Sequence, residues 1–377
     1  MQWLLIAILV HSMLEWIRSL RRGFAARRNI IELETSAHKS PVSIIVPAWR
    51  ERGMIEQCIR ALKGLDYSNW EAIILAGGPD GTYEAAQQAV NGDPHFRVLT
   101  RGPEPKNEAL MRGVQVAQFD TLVFLDADCI VEPEWLAELV KPLAGGADVS
   151  LGERYPLQET WVTLAEQMIN MQAYHILGST SVQGDRSIAM KRSVFALIGN
   201  LPVHTYARED WDLGLLLKKA GVKIAFAKKA RLRASRPSTL GEYMKNDLRW
   251  RRTHLAGLWE HRSFLVKNPR YAASQLYFYL LSLALLVAFI IIPFLVYLRP
   301  DLRLFMIQIW LLIVLWLSAR RAALGGEIAV YTGRLKWLFK GWALITLMFI
   351  SMMISNLAVV SLGEKAPFDY KGPRQPL

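Results

Sequence analysis

Leu122-Val123-Phe124-Leu125-Asp126-Ala127-Asp128-Cys129 is the stretch on which the reading of the fold turns. A short apolar run stops abruptly at two acids spaced by one residue. Four consecutive apolar residues predict a strand buried on both faces, the pattern of a parallel sheet covered by helices. Asp126 and Asp128 then emerge at its C-terminal end, the edge at which open α/β sheets bind ligands. Along an extended chain residues i and i+2 point the same way, so both carboxylates face one side. Such a pair suits a hard divalent cation such as Mg²⁺, commonly shared with substrate phosphates. A helix N-cap is the competing reading for Asp128, because Pro133-Glu134-Trp135-Leu136 follows with helical character.

Working outward, strands and helices alternate on the N-terminal side. Val42 to Pro47 predicts a strand, Met54 to Leu65 a helix, and Ala72 to Leu75 a second strand. That strand ends in the turn-rich Ala76-Gly77-Gly78-Pro79-Asp80-Gly81. Tyr83 to Val90 and Asn107 to Ala117 predict helices around a short strand at Arg97 to Leu99. This alternation argues for an α/β domain with a mostly parallel sheet. Neither a GxGxxG fingerprint nor a GxxxxGK[ST] loop is present, which excludes the common dinucleotide and P-loop readings. Beyond Leu143 the pattern loosens. Thr160 to Leu177 predicts a helix, Ser187 to Met190 a short strand, and Arg208-Glu209-Asp210-Trp211-Asp212 the start of a helix stopped by Gly221. Acids in a first helical turn suit the helix dipole, which by itself would explain Glu209, Asp210 and Asp212. Tyr243 to Trp259, with Arg249-Trp250-Arg251-Arg252, predicts a basic amphipathic helix able to lie on anionic headgroups.

The 377 residues are 52% hydrophobic with a net charge of +12, and the cations cluster beside apolar stretches. That distribution points to a membrane protein with basic cytoplasmic flanks; no aromatic-basic RNA motif or zinc pattern supports nucleic acid as a partner. Cys58 and Cys129, the only cysteines, have no metal or redox spacing, consistent with a reducing compartment. Met1 to Leu14 is uncharged, and the arginines follow it rather than precede it. It is expected to be an uncleaved anchor or, being short, an interfacial helix. Gln275 to Leu298, Leu304 to Ala319 and Gly341 to Leu362 are expected to span. A link carrying Arg320, Arg321, Arg334 and Lys336 would lie in the cytoplasm. The expected division is an anchor at 1–28, a cytoplasmic catalytic domain at 29–265, three transmembrane helices at 266–363 and a tail at 364–377.

At this point the residues resemble a known family. Val42 to Pro47 followed by Glu51 is similar to an opening strand usually written VSIIVPAYNE. Asp126-Ala127-Asp128 resembles a DxD motif, Glu209-Asp210 an ED motif, and Asn246-Asp247-Leu248-Arg249-Trp250 a QxxRW motif. Their order resembles the membrane-embedded, inverting family-two glycosyltransferases, the group of cellulose, chitin and hyaluronan synthases and ceramide glucosyltransferases. The resemblance covers Pro41 to Trp259 and implies a GT-A-like nucleotide-sugar-binding domain. There are two departures. Leu75 and Ala76 stand where the family usually has acids that help hold the base, although Asp80 and the glycines remain. Asn246 replaces the usual Gln.

The resemblance implies a role for each matching residue. Asp128 would ligate Mg²⁺ or Mn²⁺, with Asp126 contacting metal or donor. Lys106, in a stretch similar to GKxxAL, would lie near the diphosphate with Arg249, and Asp80 would help bind the donor. Trp250 and Asn246 would serve the acceptor. Asp210 would act as general base toward a hydroxyl, inverting the anomeric centre to a β-linkage. A UDP-sugar is the first expectation for the donor, and either a polysaccharide or a membrane lipid for the acceptor. An inactive, scaffold-like relative is the alternative, because Leu75 and Ala76 replace expected acids.

Overall fold

In a computed structural model of the protein, residues 2–28, 40–172, 187–202, 209–298, 301, 303–340, 350, 351 and 354 are described. The chain opens with helix α1 (Gln2–Arg28). There follow β1 (Val42–Trp49), α2 (Arg52–Lys63), β2 (Trp70–Gly77), α3 (Thr82–Val90), β3 (Phe96–Thr100), α4 (Lys106–Val116) and β4 (Thr121–Leu125). Next come β5 (Cys129–Val131), α5 (Trp135–Ala144), β6 (Val149–Pro156), α6 (Trp161–Asn170), β7 (Ser187–Lys191), α7 (Phe195–Ile198), α8 (Glu209–Ala220) and β8 (Ile224–Ala234). The remainder is helical: α9 (Leu240–Glu260), α10 (Arg262–Lys267), α11 (Pro269–Leu298), α12 (Arg303–Thr332) and α13 (Lys336–Phe339). The chain forms two compact units. One holds 1–32, 159–178 and 237–366; the other holds 33–158, 179–236 and 367–377. Residues 159–172 and 237–265, inside the 29–265 range expected for the catalytic domain, cluster with the long helices.

The second unit is built on a sheet of strand order β3-β2-β1-β4-β7-β6-β8-β5. β3, β2, β1 and β4 run parallel, as expected. The sheet as a whole is mixed rather than mostly parallel. β7 enters at the edge where β4 ends, pairing Ser187 with Leu125, and so runs antiparallel; β6 and β5 also pair antiparallel with β7 and β8. Every residue of β2 is buried, which is why it reads as a continuous apolar run. Ile44, Val46, Ile74 and Ala76 share one core with α2, α3 and α5. On the other side Gly113 of α4 leaves room for Ile45 and Leu75, whose side chains an added Cβ would strike. Leu75 and Ala76, at the positions of the missing acids, are therefore core residues. α2 buries Met54, Ile55, Cys58, Ile59 and Leu62 along one stripe, and Gly64 ends it.

Asp128 is not a helix N-cap. β5 intervenes, and α5 starts at Trp135 after Glu134. β6 and β8, which build the far half of the sheet, lay in the part of the sequence without a clear pattern. β8 alternates buried Ala230, Leu232 and Ala234 with exposed Lys229, Arg231 and Arg233. A register shift at Gly152 and Glu153 of β6 further interrupts its pairing.

In the helical unit, α1 packs against α12. Gly326 of α12 admits the Trp16 ring, and Gly23 of α1 approaches the Glu327 carbonyl. Glu327 is fully buried and binds Arg22 through Nε (2.5 Å) and Gln172 through Nε2 (2.9 Å). Among the described residues one helix, α12, is long and apolar enough to cross a membrane by length and composition. α1 is not such a helix, because Glu15, Arg18, Arg21 and Arg22 interrupt it, and it continues helical through the basic flank to Arg28. α12 also runs past the span end expected at Ala319 as far as Thr332, because Ala323 to Ala329 are buried. The Gly341 to Leu362 span falls outside the described residues except at 350, 351 and 354.

Candidate active site

The parallel strands end together at one edge. Arg50 and Glu51 follow β1, Gly77 and Gly78 close β2, Arg101 follows β3, and Asp126 follows β4. The strand order reverses between β1 and β4, and such a switch point leaves a crevice beyond the strand ends. A small cavity lies there, lined by Pro47, Lys106, Asp126, Glu209 and Asp210 among others.

Lys106 is the hub of this edge. It opens α4, and its Nζ stands 2.6 Å from Asp126 Oδ1. Burial disfavours its charge, but Asp126, Asp210 and Glu209 outweigh that and hold the ammonium above its usual range. The structure thus brings together Lys106, Asp126 and Asp210, residues spread over a hundred positions of sequence. Glu209, read as a helix-start residue, lines the same cavity. Asn107 Nδ2 donates to the Pro202 carbonyl at 3.0 Å, tying the start of α4 to the segment that leads toward α8.

Asp128 is buried beside this edge, with the Cys129 thiol 3.8 Å from its Oδ1. Burial pushes the Cys58 thiol well above its usual range, and Asp128, Asp126 and Glu51 add to the effect. That makes Cys58 inert and marks those acids as its neighbours. Among the described residues no cluster of three or more metal-type side chains occurs. Asp126 and Asp128 alone offer what Mg²⁺ or Mn²⁺ takes when a substrate diphosphate supplies the remaining oxygens, so the residues fit such an ion.

Asp80, expected at the donor, sits in the loop after β2. Its Oδ1 accepts from Thr82 N (3.2 Å) and Thr82 Oγ1 (2.7 Å), and its Oδ2 accepts from Arg52 N (3.2 Å). Thr82 Oγ1 in turn accepts from Glu51 N at 2.8 Å. Asp80 therefore fastens the loop after β2 to the start of α2, and it does not line the cavity. Arg101 was not anticipated. Burial lowers its pKa against the pull of Glu104, Glu51 and Asp126, which puts a half-buried cation at the same edge. A basic residue directly after a short parallel strand was the available signal.

Asn246, Arg249 and Trp250 lie on α9 in the helical unit. Thr239 and Glu242 form a capping box that starts this helix. Arg249 Nη2 donates to Asn246 Oδ1 at 3.0 Å, and its guanidinium stands 5.8 Å from the Trp250 ring centroid. The Asn246 amide oxygen, expected at the acceptor, is thus in contact with Arg249.

A parallel half-sheet with an acid-and-lysine crevice at its switch point defines a GT-A-like α/β enzyme. Comparison with solved structures gives the same fold. The mannosyltransferase PcManGT from Pyrobaculum calidifontis, in complex with GDP-Man and Mn²⁺, superposes with a TM-score of 0.55 at 15% identity, covering 95% of this chain and 97% of that one. Among curated proteins, the glycosyltransferase AglE of Haloferax volcanii is 26% identical over 62% of this chain and 84% of its own length. A dolichol-phosphate mannosyltransferase of Pyrococcus furiosus is 33% identical over 30% of this chain and 33% of its own length. Residues 43–192 match the family described as Glycosyl transferase family 2; the protein carries that family's domain and is a glycosyltransferase.

Proposed function

We propose that the protein transfers a sugar from a nucleoside-diphosphate sugar to a hydroxyl of a membrane lipid, with metal dependence and inversion to a β-linkage. The observation that carries this reading is the Lys106–Asp126 pair with Asp210 and Glu209 acting on the same ammonium. Asp126 and Asp128 stand at the strand-end edge where open α/β sheets bind ligands, suited to a divalent cation shared with the diphosphate. Asp126 and Asp128 would hold that ion; when bound it offsets the charge that grows on the departing diphosphate. Lys106 orients the donor beside it. Asp210 takes the proton of the acceptor hydroxyl, and attack opposite the leaving group inverts the anomeric carbon. By the family resemblance Arg249 would serve the diphosphate and Trp250 the acceptor.

A bilayer is the proposed setting, with the sheet-bearing unit on the cytoplasmic side. The helical unit exposes Ile6, Leu9, Leu304, Phe305, Leu311 and Leu315, more apolar surface than water tolerates on a long helix pair. A lipid acceptor is favoured over an exported polymer because Gln275 and Ser351, polar groups in segments expected to span, are hydrogen-bonded to α9. The relative named for dolichol phosphate is consistent with this.

The test uses membranes containing the full-length protein, Mg²⁺ or Mn²⁺, and radiolabelled UDP-glucose, UDP-N-acetylglucosamine and GDP-mannose. Both bases are included because Leu75 and Ala76 are core residues and offer uracil no acid pair. Nucleoside diphosphate release with label in an organic-extractable, low-mass product is expected. Label in a high-mass, water-soluble product overturns the lipid acceptor, and full activity in EDTA overturns the metal.

A further inference from the structure

Helices α11 and α12 are each 30 residues long, touch one another, and are joined by residues 299–302 alone. So short a link turns the chain back on itself, and the two helices run antiparallel. The start of α11 and the end of α12 therefore share one end of the hairpin, its open end, and α10 and α13 adjoin them there.

Each of these short helices is pinned on one side and leaves apolar residues outside. α10 buries Leu265 and sets Phe264 edge-on to Tyr271 of α11, with ring centroids 6.0 Å apart. Val266 stays 80% exposed, and Trp259, just before α10, 73%. α13 buries Trp337, whose carbonyl approaches α12 at Gly325, while Leu335 and Phe339 stay 72% and 75% exposed. Cations stand among these residues: Arg262, Lys267 and Arg270 around α10, and Arg334, Lys336 and Lys340 around α13. Glu260 is the one acid in 259–270 and 334–340. The closed end of the hairpin also exposes apolar residues, Tyr297, Leu298, Leu304 and Phe305, but there Asp301 stands between Arg299 and Arg303. Depth agrees with charge. From Leu304 to Arg320 α12 rises about 24 Å, close to the thickness of a hydrocarbon core. Gly325, where α13 docks, lies about 8 Å beyond Arg320, and Arg270 lies about 8 Å before Gln275 on α11. That is the depth of a headgroup layer, about 5–8 Å on each side of the core.

We propose that α10 and α13 form one rim at the open end of the hairpin that selects anionic phospholipids. Their headgroups pair with the six cations, and Trp259, Val266, Leu335 and Phe339 enter the boundary with the acyl chains. This rests on the bilayer setting proposed above and goes beyond it, since apolar surface alone draws no distinction between lipid charges.

The experiment reconstitutes the full-length protein in phosphatidylcholine vesicles with a trace of spin-labelled phosphatidylglycerol or spin-labelled phosphatidylcholine. Electron paramagnetic resonance reads the fraction of label immobilised against the protein. A preference of about threefold for phosphatidylglycerol is expected at low salt, falling toward parity at about 1 M salt. Lys267→Gln with Arg270→Gln, and Lys336→Gln with Lys340→Gln, are each expected to lower the preference about twofold, while Arg299→Gln with Arg303→Gln leaves it unchanged. The salt series needs no substitution, so it stands even where a variant does not fold. Immobilised label without preference, or a preference that survives both open-end pairs, would overturn the rim and leave the bilayer setting standing. No immobilised label of either kind would overturn both.

Discussion

The two units treat charge in opposite ways. At the strand ends of the sheet-bearing unit, Lys106 faces Asp126, Asp210 and Glu209. In the helical unit the buried carboxylate of Glu327 is matched by Arg22 and Gln172, and Asp247 by Arg251 and Ser351. Closed charge sets hold helices in register; carboxylates gathered around one lysine at strand ends lie where open α/β sheets bind ligands. The difference separates scaffold from site without reference to any motif. A buried ion pair is a weak source of net stability, yet removing one partner is costly because the other charge is stranded.

The largest effect should come from the strand-end acids. Asp210→Asn keeps size and hydrogen bonding but cannot accept the acceptor's proton. Transfer is expected to fall about 10²- to 10⁴-fold, with donor affinity within a few-fold and Tm almost unchanged. Rates from labelled product and donor affinity from calorimetry check this. A near wild-type rate would remove Asp210 from the chemistry and blur the contrast between the units.

In the closed set the signature should reverse, with stability lost before chemistry. Glu327→Ala leaves Arg22 without its buried partner and Gln172 without its acceptor. Arg22 retains some access to water, so the cost is expected near the lower end for a broken buried pair, about 3 kcal/mol. Thermal unfolding in nanodiscs reads it. Arg22→Met with Glu327→Leu should recover much of that loss, since a matched apolar pair replaces a matched charged one.

What was legible in the sequence follows the same divide. β1, β2 and β4 are buried on both faces, so their apolar runs announced a parallel sheet, and the acids at the end of β4 stood out against them. β8 was hidden because its exposed face is Lys229, Arg231 and Arg233, which reads as loop or surface helix. Asp126 and Asp210 were legible as types, but Lys106 as their shared counter-charge depends on how α4 and α8 meet the sheet. Asp80 was legible as an acid in a glycine loop; that both its oxygens serve Arg52 and Thr82 was not. Least legible was Glu327. Nothing in the local sequence marks it, and its partner Arg22 lies 305 residues away.

The smallest effect concerns His254, which meets Gln275 and Tyr279 in the helical unit and whose ordinary pKa lies near neutrality. Burial lowers its pKa from 6.5 to about 4, with the Gln275 bond opposing the shift and Arg251 adding to it. The sign follows from which state binds the proton. The unfolded chain takes it up near 6.5 and the folded chain only near 4, so stability is full above the unfolded value and declines as pH falls between them. The loss between pH 7 and pH 5 is expected to be about 2 kcal/mol. His254→Gln keeps a donor and an acceptor but does not titrate, so it should flatten that part of the stability profile. Chemical unfolding of both proteins at pH 7, 6 and 5 measures the difference. Parallel profiles would show that the His254 cluster admits water, and that the helical unit is less closed than its hydrogen bonds indicate.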